Sequence, residues 1–292
     1  MSWQDLWNAI FNFSNYAELL PLFRDSLLAG AVLGVVGGLI GTFVMMRDLA
    51  FAVHGIAELS FAGAAFALLI GVDVIAGSLV GSVLAAVLLG LMGVRARDRN
   101  SIIGVLMPFG LGLGILFLSL YQGRAANKFG LLTGQIVSVD ATQLGALVTA
   151  AVVVIIALAV LWRPLSFASV DPDIAGARGV PVRGLSLIFM VLLGISVALS
   201  IQIVGALLVL ALLITPAAAA MQVAASPRLV VLLSVLFAVG STVGGILLAL
   251  GGSIPISPYV TTLSFLIYLV CRLIGRRRRS GRNGRVRSVS AA

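Results

Sequence analysis

The stretch of residues 26–46 reads SLLAGAVLGVVGGLIGTFVMM, and the next residue is Arg47. It contains no charged side chain from one end to the other. About 20 consecutive apolar residues are enough for an α-helix to cross the hydrocarbon core of a membrane. A helix is suited to that solvent because it satisfies all of its backbone hydrogen bonds internally. This stretch therefore predicts a membrane-spanning helix.

Further apolar stretches of similar length follow along the rest of the chain. Together they predict an all-α, polytopic bundle of eight or nine spans, with residues 1–275 forming one transmembrane domain. The candidate spans are 26–46, 49–70, 74–94, 102–122, 142–162, 185–203, 204–225, 228–250 and 255–274. Only Gln202 and Gly205 mark a break between the sixth and seventh of these, so a merged or re-entrant segment is also compatible with the sequence.

The composition supports a lipid environment. Of the 292 residues, 61% are hydrophobic and 10% are charged, whereas soluble domains carry about 25% charged residues. The net charge of +9 comes largely from the tail at 276–292, which we expect to be disordered and to face anionic lipid headgroups in the cytoplasm. The sequence has no basic face with interleaved aromatic residues, so it gives no indication of nucleic-acid binding. The single cysteine, Cys271, excludes an internal disulfide or a cysteine metal cluster.

The placement of basic residues predicts the orientation. With nine spans and the N-terminus outside, 16 of the 19 Lys and Arg residues fall in cytoplasmic segments, as the positive-inside rule requires. The C-terminus is then cytoplasmic. Residues 1–21 precede the first span, and we expect them to form an amphipathic helix in the membrane interface. Its apolar residues recur at helical spacing: Trp3, Leu6, Trp7, Ile10 and Phe11.

Two polar residues lie within the second span, four positions apart. His54 is the only histidine of the chain, and Glu58 is the one acidic residue well inside a span. Residues at i and i+4 share a helix face, and a carboxylate near the membrane midplane requires a partner. Imidazole and carboxylate together suit zinc, manganese or ferrous iron. A packing pair and a proton relay remain alternatives, and a two-fold dimer would bring two such pairs together.

A second feature is the longest internal cytoplasmic loop, residues 163–184. Within it, Asp171 suits a helix N-cap, Pro172 the first helical position and Gly179 the C-terminal stop. The sequence therefore predicts a short surface helix. It is either a knob that docks into a cytoplasmic partner or an ordinary connector.

The chain cannot contain a phosphate-binding loop of the Gly-x4-Gly-Lys-Ser/Thr type. Its only lysine is Lys128, in the sequence Asn-Lys-Phe. ATP, if it drives the protein, must therefore be hydrolysed through that motif on another chain.

From about Leu19 to Leu273 the sequence resembles the membrane permeases of bacterial ABC importers for zinc and manganese. The resemblance is carried by 26–30, 41–47, 54–63 and most specifically by 203–218, IVGALLVLALLITPAA. The segment Asp171, Pro172, Asp173, Ile174 and Ala175, through Gly179, is similar to the family's Asp-Pro-Glu-x-Ala segment, which forms the coupling helix that meets the ATPase. The family's Asp and His in the second span are replaced by His54 and Glu58 in reversed order.

The resemblance implies a metal-contacting pair at His54 and Glu58. It also implies a homodimer, two copies of a cytoplasmic ATPase that binds ATP, and an extracytoplasmic metal-binding protein. We expect no permanently bound cofactor, and the imidazole favours zinc over manganese as the cargo. Two other functions remain open at this point: an ion-coupled secondary transporter with His54 and Glu58 as a proton relay, and an ABC permease for a metal chelate.

Overall fold

The computed structural model describes residues 16–92, 96–123, 139–205, 208–250 and 255–289, with all side chains except those of 96–99, 202–204 and 278–289. Every regular element in these ranges is an α-helix, so the predicted all-α class is confirmed. Of the predicted interfacial helix at 1–21, residues 1–15 lie outside the described residues. The remainder forms the start of the first helix below.

Twelve helices make up the described part of the chain. They are α1 (Tyr16–Leu22), α2 (Arg24–Met46), α3 (Ala50–Ile70), α4 (Val74–Met92), α5 (Ala96–Leu120), α6 (Ala141–Val170), α7 (Pro172–Ala177), α8 (Val182–Val204), α9 (Val209–Leu213), α10 (Thr215–Val223), α11 (Pro227–Ala249) and α12 (Ile256–Val289). Eight of them, α2 to α6, α8, α11 and α12, are long and apolar enough to cross a membrane.

Small residues allow α2 and α11 to pack closely in antiparallel directions. Gly30 lies beside Ile246 and Gly38 beside Val235, where an added Cβ at Gly38 would come 2.5 Å from the Val235 Cα. The Ser234 hydroxyl donates to the Gly38 carbonyl at 2.8 Å. Such close contacts are how membrane helices associate, because burial from lipid supplies no hydrophobic driving force.

Helix α8 runs antiparallel to α4, with Gly90 against Leu187 and Gly194 against Ala86. Helix α8 begins directly after α7, at the end of the bundle where α2 ends. We call this end, which carries residues 46–48 and 171–181, the α7 face. Helix α8 therefore ends at Gly205 on the opposite face.

The segment between α8 and α11 differs from the predicted continuous span at 204–225. It forms two short helices, α9 and α10, separated at Ile214. The break has a simple cause, since Pro216 has no N–H to donate to the Leu212 carbonyl. Because α8 ends on the opposite face and α11 starts again on the α7 face, the broken pair returns the chain. Within the described residues, the bundle is thus crossed by eight long helices and by this broken pair.

The two ends of the described chain lie on opposite faces. The Tyr16 hydroxyl donates to the Leu247 carbonyl at 2.8 Å, near the end of α11 on the opposite face. Gly275 on α12 lies beside the Gln222 carbonyl, near the end of α10 on the α7 face.

Two helices continue beyond the bounds expected from the sequence. Helix α6 continues through Arg163 and Pro164 to Val170, so the predicted loop at 163–184 begins as helix. Its 30 residues extend over about 45 Å at 1.5 Å per residue, well beyond a hydrocarbon core of about 30 Å. Helix α12 likewise continues to Val289, so the tail expected to be disordered from 276 is helical up to that residue.

Candidate metal site and short-helix surface

Helix α3 positions His54 and Glu58 on one face. The His54 Nε2 atom lies 3.7 Å from the Glu58 Oε1 atom, which is too long for a hydrogen bond. The His54 Nδ1 atom is buried and has no hydrogen-bond partner among the described residues. The two side chains are thus close without being bonded to each other. Both side chains therefore keep lone pairs with which they could coordinate a cation.

The pair lies at increasing depth from the α7 face. Glu58 is the ninth residue of the 21-residue helix α3, about 12 Å from the start of that helix at 1.5 Å per residue. The exposed side-chain fraction falls with depth, from 34% for His54 to 14% for Glu58. On the same face, Phe51 is 66% exposed at the rim and Ala62 is 4% exposed beyond the pair. Glu58 is therefore the more enclosed of the two side chains.

Helices α4 and α5 pack against α3 beside the pair. An added Cβ at Gly81 of α4 would come 2.3 Å from the Leu59 carbonyl oxygen, and one at Gly110 of α5 would come 3.1 Å from the Glu58 carbonyl carbon. The Ser60 hydroxyl of α3 also bonds to Ser78 of α4, at 3.0 Å to its carbonyl oxygen. These contacts hold the backbone beneath Glu58 and largely enclose its side chain, which is 14% exposed, whereas that of His54 keeps 34% of its surface exposed.

A single copy of the chain does not supply a complete metal site. Among the described residues, no group of three or more His, Cys, Asp or Glu side chains is close enough to hold one ion. Two protein ligands leave half of the positions of a tetrahedral ion, or more of an octahedral one, open. Any ion bound here must take its other ligands from water or from a second molecule.

The predicted short helix forms at Pro172–Ala177. The Asp171 Oδ1 atom accepts a hydrogen bond from the Ile174 N–H at 2.9 Å, and Gly179 has a φ of +83°, a value that favours glycine. The Val180 N–H donates to the Ala175 carbonyl at 3.0 Å. Asp171, Pro172 and Gly179 therefore act as the cap, the first helical residue and the stop that their sequence positions predicted.

The outer surface of α7 is partly apolar. Ala175 is fully buried against the bundle, whereas Ile174 is 51% exposed and Val170, at the end of α6, is 73% exposed. Asp173 is also exposed. Of the predicted partner-binding residues, Ala175 thus attaches the helix to its own chain, and Ile174 and Asp173 point away from it.

Two features of the site were not predicted. One is Gly110, which brings α5 against Glu58. Glycines recur every four residues in several spans, so spacing alone does not show which of them touches the site. The other is the exposed Val170, which the sequence places in a loop because hydropathy marks only the part of α6 inside the membrane.

Comparison with known proteins identifies a family and several relatives that match most of the chain. The family model described as the ABC 3 transport family matches residues 20–275. The manganese transport system membrane protein MntC of Halalkalibacterium halodurans is 29% identical over 224 residues, covering 76% of this chain and 77% of that protein. The high-affinity zinc uptake system membrane protein ZnuB of Haemophilus influenzae is 25% identical, over 86% of this chain and 97% of that protein.

Among solved structures, PsaBC from Streptococcus pneumoniae in complex with Fab has a chain of similar fold. The TM-score is 0.78 at 25% sequence identity, over 87% of this chain and 94% of that one.

Proposed function

The chain belongs to the ABC 3 transport family, and we propose that it is the membrane permease of an ATP-driven importer of divalent transition-metal ions. It is a multi-pass protein of the inner membrane. The observation that carries the proposal is the family match over residues 20–275, which includes both the His54–Glu58 pair and the short helix. Relatives named for manganese and for zinc transport support the class of cargo.

His54 and Glu58 are the proposed metal-contacting residues. Their free electron pairs and their position part-way through the membrane suit an ion in transit. Because one chain offers only two ligands, the proposal includes a homodimer in which the exposed parts of two α3 helices, around Phe51 and His54, meet. Two imidazoles and two carboxylates then surround the path. The cation also compensates the two carboxylates, whose burial is costly without a partner.

We propose zinc as the preferred cargo over manganese. A site of nitrogen and oxygen ligands binds Zn²⁺ more tightly than Mn²⁺ in the general order of affinities for divalent metals, and imidazole suits zinc. The carboxylates also accept manganese.

Helix α7 is the proposed docking element for a separate ATPase chain. Ile174 and Val170 form an exposed apolar knob, and Asp173 adds a charge beside it. Helix α6 joins this knob to the membrane part without a flexible loop, so a movement of the knob is transmitted to the bundle.

The orientation follows from this assignment. A cytoplasmic ATPase places the α7 face and the end of α12 in the cytoplasm, with the N-terminus outside. A metal-binding protein then delivers the ion at the opposite face. The concentration of Arg residues at the α7 face agrees with the positive-inside rule.

The direct test is uptake of radioactive zinc and manganese in metal-starved cells that produce the chain at equal membrane abundance. We expect His54→Ala and Glu58→Gln each to abolish uptake of the cargo metal. Glu18→Gln is the matched control, since it removes the same charge from an exposed residue of α1. Normal uptake by both site variants would reject the site, and loss of manganese uptake alone would reject the preference for zinc.

A further inference from the structure

A cavity of about 610 Å³ opens at the α7 face, between the ends of α2, α4 and α6 and the start of α8. Neither His54 nor Glu58 lines it. Its polar lining consists mainly of charged and hydroxyl side chains at the level of the membrane surface: Arg47, Asp48, Ser169, Arg183 and Ser186.

The charges of the cavity favour an anion. Two guanidinium groups, of Arg47 and Arg183, face a single carboxylate, that of Asp48. The Arg47 guanidinium carbon lies 5.4 Å from the centre of the Phe189 ring, so this cation is held against the wall of the cavity. Arg183 is exposed in the first turn of α8, whose N-terminus has no side-chain cap. The positive end of that helix dipole adds to the attraction.

An apolar stripe leads from the cavity along the outside of α4. Leu91 lines the cavity and is 61% exposed, and the next residues on the same helix face, Leu88, Leu84 and Val80, are 42%, 59% and 59% exposed. From Leu91 to Val80 the stripe covers about 16 Å, close to half of a hydrocarbon core of about 30 Å. A ligand that fits both parts has an anionic head and an apolar tail one leaflet long.

We propose that this cavity binds the phosphate headgroup of an anionic glycerophospholipid, with an acyl chain lying along Leu91, Leu88, Leu84 and Val80. Basic pockets between membrane helices at the surface of the bilayer hold such headgroups. The lipid would fill the space between α7 and the ends of α2 and α4, and would thereby support the short helix from behind. The inference does not depend on which metal is carried.

The test uses the full-length chain in nanodiscs made of phosphatidylcholine, with a small fraction of either spin-labelled phosphatidylglycerol or spin-labelled phosphatidylcholine carrying the same acyl chains. We expect the protein to immobilise the anionic lipid preferentially. Arg183→Gln should weaken that preference about five-fold, the effect of one cation near an anionic surface. Arg183→Lys should keep most of it. The matched control is Arg178→Gln, because Arg178 is exposed at the end of α7, five residues before Arg183, but does not line the cavity.

Four results would overturn the proposal. Equal immobilisation of both lipids would show that the cavity does not select an anionic headgroup. An equal loss with Arg178→Gln and Arg183→Gln would mean diffuse attraction to the surface. Displacement of the labelled lipid by inorganic phosphate alone would make the ligand a free anion. Disulfide cross-linking between two copies through cysteines introduced at Leu84 and Leu88 would make the stripe a protein interface.

Discussion

Gly110 sets the distance between α5 and the backbone under Glu58. Replacing it with alanine tests this contact, provided that the general effect of alanine on helix stability is measured separately. An added Cβ at Gly110 would lie 3.1 Å from the Glu58 carbonyl carbon and 3.2 Å from the Glu58 Cβ. Both distances are shorter than van der Waals contact, so α5 or Glu58 has to move by a few tenths of an ångström. Overpacking of this kind costs about 1–3 kcal/mol.

Two other glycines of α5 supply the control. Gly104 and Gly112 have no neighbouring atom within 4 Å of an added Cβ, so alanine at either position changes only the helix propensity, which favours alanine by about 0.5–1 kcal/mol. That gain is common to all three variants and cancels in the comparison. The difference in unfolding free energy between Gly110→Ala and Gly112→Ala therefore measures the contact with Glu58.

The assay has two parts, unfolding of the purified protein in detergent and metal uptake in cells. We expect Gly110→Ala to be less stable than either control variant by about 1–3 kcal/mol. Its uptake at low metal concentration should fall by about five-fold or more, as a strain of at least 1 kcal/mol transferred to the site implies. If Gly110→Ala matches Gly112→Ala in both measurements, α5 does not position Glu58 and the reasoning fails.

Three further substitutions test other contacts. Gly41→Ala places a Cβ on the Leu213 carbonyl, so we expect little folded protein in membranes, and normal yield would contradict this packing. Ile174→Ala should weaken binding of the ATPase by about 1 kcal/mol, or five-fold, because about half of the side chain is free to be buried. An unchanged dissociation constant would remove Ile174 from the interface. Gly205→Ala should lower stability by about 1–3 kcal/mol, since Gly205 has a φ of +84°. Gly184→Ala, which adds no contact, should not.

Hydropathy predicted the long helices well because each must match the thickness of the membrane. It failed at 204–225, where the segment is apolar throughout but Pro216 interrupts the hydrogen bonds of the helix. That proline was visible in the sequence, yet a proline can also kink a helix without dividing it. The break also lies beside a contact that the local sequence does not show, that of the Leu213 carbonyl with Gly41 from a distant part of the chain.

The candidate site likewise combines features that the sequence predicted with features that it did not. The spacing of His54 and Glu58 was enough to predict that they share a helix face. The sequence could not show that their atoms stay 3.7 Å apart, or that α5 packs against Glu58 at Gly110. The second property is a contact between helices that are distant in the sequence. The cap of the short helix, in contrast, is local, and Asp171 and Gly179 sufficed to predict it.

The broken crossing has a consequence for biosynthesis. Helices α9 and α10, with 5 and 9 residues, are each too short to enter a bilayer as an independent spanning segment of about 20 residues. Their insertion must be assisted by helices that are already in place. Helix α2 leaves the ribosome long before them and offers Gly37 and Gly41 as their contact surface. The order of synthesis thus makes the docking surface available before the segment that needs it, and the orientation of α11 and α12 depends on that assembly step.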